Sequence, residues 1–75
     1  MRQLTYRILL TKEPKGGFTV TVPALPGCIT YGATMDQAIN HAREATELYL
    51  ESLTAYGEAI PTGENAFEYS LAVMV

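Results

Sequence analysis

The side chains able to do chemistry in this sequence are one thiol, Cys28, one imidazole, His41, and a set of carboxylates within a chain of net charge −3. Acyl transfer requires a nucleophile within reach of a base that a third group orients. Cys28 opens one predicted element and His41 lies inside another, with no obvious orienting carboxylate for either. There is no second cysteine for a redox pair and no Cys and His at metal-ligand spacing, so Cys28 reads as a half-buried structural thiol. Metal-assisted hydrolysis needs several carboxylates pointing inward from strands. The strands carry only Glu68, while the remaining acids fall in loops or on an outer helix face. Gly16-Gly17 resembles a phosphate-cradling loop only superficially, because no Lys-Ser/Thr pair or helix start follows it. The residues therefore describe a binding module, not an enzyme, and imply neither a cofactor nor a metal.

The elements that position these residues follow from hydrophobic periodicity. Leu4, Tyr6, Ile8 and Leu10 alternate with polar residues up to Thr11, interrupted only by Leu9, and predict a first strand. Pro14, Gly16 and Gly17 supply the preset and positive φ values of a reversal, after which Phe18 to Val22 alternates again. Pro23 and Pro26 cannot donate ladder hydrogen bonds, so the chain is expected to leave the sheet in a kinked crossover and resume at an edge from Cys28 to Gly32. Thr34 with Gln37 forms a capping box in which each side chain satisfies the other's backbone amide. The helix it opens runs from Met35 to about Tyr56, with Ala38, Ile39, Ala42, Ala45, Thr46, Tyr49, Leu50 and Leu53 on one stripe. After a loop from Gly57 to Asn65, in which Ile60 is pinned to the core, Phe67, Tyr69, Leu71, Val73 and Val75 alternate as a final strand. The expected fold is α+β in βββαβ order, one helix packed on a four-stranded, mainly antiparallel sheet.

A single domain of 75 residues buries only about 60% of its unfolded surface, so self-association is expected, and the apolar last strand is a candidate contact. With one cysteine, no leader and no long apolar run, the chain reads as a cytoplasmic protein away from membranes. Its five Lys and Arg are scattered (Arg2, Arg7, Lys12, Lys15, Arg43), which argues against a phosphate backbone as partner and in favour of a basic protein. The tyrosines do not change this, since several fall on inward positions and no basic groove accompanies them. The candidate docking residues are the acidic helix row Asp36, Glu44, Glu47 and Glu51, joined by Glu13 in the hairpin loop. Such a row is also what an ordinary solvated helix face presents.

Tyr6 to Leu10, Gly17-Phe18-Thr19-Val20, the Pro-x-Leu-Pro-Gly-Cys run at 23–28, Tyr31-Gly-Ala-Thr34 and Ala38 to Ala45 together resemble the HicB antitoxin family over nearly the whole chain. The resemblance implies a partial RNase H-like module without a nuclease centre, consistent with the missing carboxylates. It implies a partner as well, a small basic HicA-type toxin that cleaves mRNA and is occluded by the antitoxin. Many family members add a C-terminal DNA-binding domain. The sequence given stops at Val75 after the last predicted strand, so 1–75 reads as one HicB-like domain without operator binding. Gln37 stands where Glu is common in the family, a change that preserves the capping box. The alternative to an antitoxin is a stand-alone oligomeric module whose ligand is unassigned.

Overall fold

The structure is a computed structural model that describes residues 3–62, 67 and 69–75. Three strands, β1 (Leu9–Lys12), β2 (Phe18–Thr21) and β3 (Ile29–Gly32), precede one helix, α1 (Met35–Ala55). The strands form one antiparallel sheet in the order β1-β2-β3. The described residues therefore show βββα order. Residues 67 and 69–75 join no ladder, which corrects the fourth strand expected there. Alternation specifies which side chains share a face, but a strand exists only where a neighbour takes up its N–H and C=O groups. Glu68, which sequence reasoning placed on that strand, lies outside the described residues.

β1 is shorter than its periodicity suggests for a related reason. Leu9 pairs with Thr21, the last residue of β2, so residues 3–8 extend past the end of that neighbour and join no strand among the described residues. The first hairpin closes as its glycines require, with Gly16 and Gly17 at φ 105° and 83° and Glu13 bonded to both through the backbone. The second connection is not a crossover. Val22 donates to the Cys28 carbonyl, Leu25 to Val22, and Cys28 to Leu25, so the proline-bearing loop folds on itself and β3 returns as an antiparallel neighbour at the sheet edge. That folding buries Leu25, a core residue that the periodicity did not reveal.

Thr34 caps α1 in extended conformation and its hydroxyl accepts from the Gln37 amide at 3.1 Å. Gln37 reaches one residue further back than expected, its Oε1 accepting from the Ala33 amide at 2.6 Å. The helix lies across the sheet, and two adjoining clusters form the core. In one, Val20 packs with Ala38 and Ala42, flanked by Ile8, Leu10 and Phe18. In the other, Val22, Leu25 and Cys28 pack with Tyr6, Ala45, Tyr49 and Leu50. Gly32 makes the close approach possible: a Cβ there would meet the Ala38 amide nitrogen at 2.3 Å. Beyond the helix Ile60 is half-buried, and the Tyr6 hydroxyl donates to the Pro61 carbonyl, bringing the chain back to the β1 side.

Candidate protein interface

Small residues on one side of α1 let it sit close on the sheet, which turns its other side to solvent. Asp36, Glu44, Glu47 and Glu51 are all exposed, and their spacing places them on one stripe about 22 Å long at 1.5 Å per residue. Asp36 also has a local reason to be acidic, since it stands in the first turn, where the helix dipole favours negative charge. Glu13 is separate from this row. It sits half-buried in the β1–β2 turn, where its Oε1 accepts from the Thr19 hydroxyl at 2.6 Å.

The two residues considered for nucleophilic chemistry have structural surroundings. Cys28 is buried beside Val22 and Leu25. His41 places Nδ1 2.6 Å from the Tyr31 carbonyl oxygen, so Nδ1 carries the proton and the ring ties α1 to β3. The Tyr31 hydroxyl in turn donates to the Gly16 carbonyl, and the Tyr49 hydroxyl to that of Pro26, linking both loops to the body. Among the described residues no group of three or more His, Cys, Asp or Glu is placed to hold a metal ion. Among the same residues no helix is long and apolar enough to cross a membrane.

Sequence reasoning missed one feature of the surface. Between the overhanging residues 3–8 and α1 lies an open groove of about 560 Å³, floored by Tyr6, Ile8, Ile39, Ala42 and Leu50, with Glu47 at its rim. Leu4, Tyr6 and Ile8 were assigned inward from their alternation. With no further strand beside β1 among the described residues, they line this groove.

A family model described as a HicB-like antitoxin of bacterial toxin-antitoxin systems matches residues 6–72. The chain belongs to this family. The HicB-like chain is 41% identical over 68 residues to a UPF0150 protein of Thermoplasma acidophilum, an alignment covering 91% of this chain and 97% of the relative. It is 40% identical over 70 residues to a UPF0150 protein of Synechocystis, covering 93% and 87% of the two chains. A 14.9 kDa uncharacterized protein of Haemophilus phage HP1 is 32% identical over 66 residues, and there the HicB-like chain spans 88% of itself but only 49% of the relative. The matched span includes the β1 overhang from Tyr6, the capping box and the acidic row, so the features described above lie inside the family domain.

Proposed function

We propose that this protein is the antitoxin of a toxin-antitoxin pair, a non-enzymatic cytoplasmic module that self-associates and occludes a small basic HicA-type toxin that cleaves mRNA. The family match over residues 6–72 carries this reading. The acidic stripe Asp36, Glu44, Glu47 and Glu51 gives it a physical basis, because a single-sign face attracts a basic partner and raises the encounter rate more than it sets the final affinity. Glu13 adds charge from the hairpin turn. A partial RNase H-like arrangement fits the same reading, with the final strand at the sheet edge supplied on assembly.

The test is co-expression with the small basic open reading frame next to the gene, followed by RNA cleavage by that partner with and without this protein. Co-purification with suppressed cleavage is the expected result. A partner that fails to co-purify, or one whose cleavage is unaffected, removes the antitoxin reading. The remaining reading is then a stand-alone oligomeric module, which the open groove and the exposed apolar tail favour on their own.

A further inference from the structure

We draw no further inference here: the strongest candidate, the face of the sheet turned away from α1, where Leu9, Ile29 and Tyr31 stand exposed beside Thr19 and Thr21, carries nothing because nothing in the structure shows what covers it.

Discussion

Gly32→Ala probes the contact on which the two layers depend. A Cβ at this position would lie 2.3 Å from the Ala38 nitrogen, 2.5 Å from the Ala38 Cα and 2.8 Å from the Gln37 carbonyl carbon, all of them helix backbone that no rotamer change can move aside. Ordinary contact begins near 3.4 Å, so the first turn of α1 must withdraw from β3 by about 1 Å. That movement loosens the packing of Ala38 and Ala42 on Val20, the fully buried centre of one core cluster. Overpacking of this kind costs up to about 3 kcal/mol, offset by roughly 0.5–1 kcal/mol because alanine is the better strand residue. The net loss is about 2 kcal/mol from a total of about 4–11 kcal/mol for a domain of this length. In thermal unfolding it corresponds to a fall of about 8–16 °C. The assay is circular dichroism at matched protein concentrations, because the midpoint of a chain that self-associates depends on its concentration. Gly16→Ala is the control: its Cβ meets nothing within 4 Å, but its φ of 105° makes any loss a backbone effect of about 1–2 kcal/mol. A Gly32→Ala protein that melts within about 2 °C of the parent would refute the claim that close helix approach at Gly32 holds the layers together.

Three further outcomes follow from the same structure. Leu25→Ala removes one of the largest fully buried side chains and should cost about 2–5 kcal/mol in urea unfolding, a loss that a surface loop leucine would not show. Thr30→Val should be neutral or stabilising by up to about 1 kcal/mol, because the buried Thr30 hydroxyl has no hydrogen-bond partner among the described residues; clear destabilisation would mean that this hydroxyl is satisfied. Replacing Asp36, Glu44, Glu47 and Glu51 together by Lys should slow association with a basic toxin and flatten its salt dependence in stopped-flow mixing, and an unchanged salt dependence would remove the acidic row from the interface.

Local patterns in the sequence determine much of this protein. The two glycines of the first hairpin, the Thr34 cap and the small-residue stripe of α1 each act over a few residues, so their consequences could be read in order along the chain. Cys28 could be read as a structural thiol, and the structure buries it, whereas the hydrogen bond from His41 to the Tyr31 carbonyl could not be read from the sequence. Family membership was legible for the same reason, because it rests on a contiguous run of residues. The acidic row could be located from helical spacing, although the bond that holds Glu13 to Thr19 could not.

What the tertiary structure alone decided concerns edges and closures. Alternation at the end of the chain specifies a face but not a neighbour, and residues 67 and 69–75 join no ladder among the described residues. β1 stops where β2 runs out of residues to pair with it, and the proline-bearing loop closes through three backbone hydrogen bonds that bury Leu25. Side-chain periodicity is a property of one segment, whereas a hydrogen-bonded ladder belongs to two. The groove between residues 3–8 and α1 therefore became visible only when the segments were assembled.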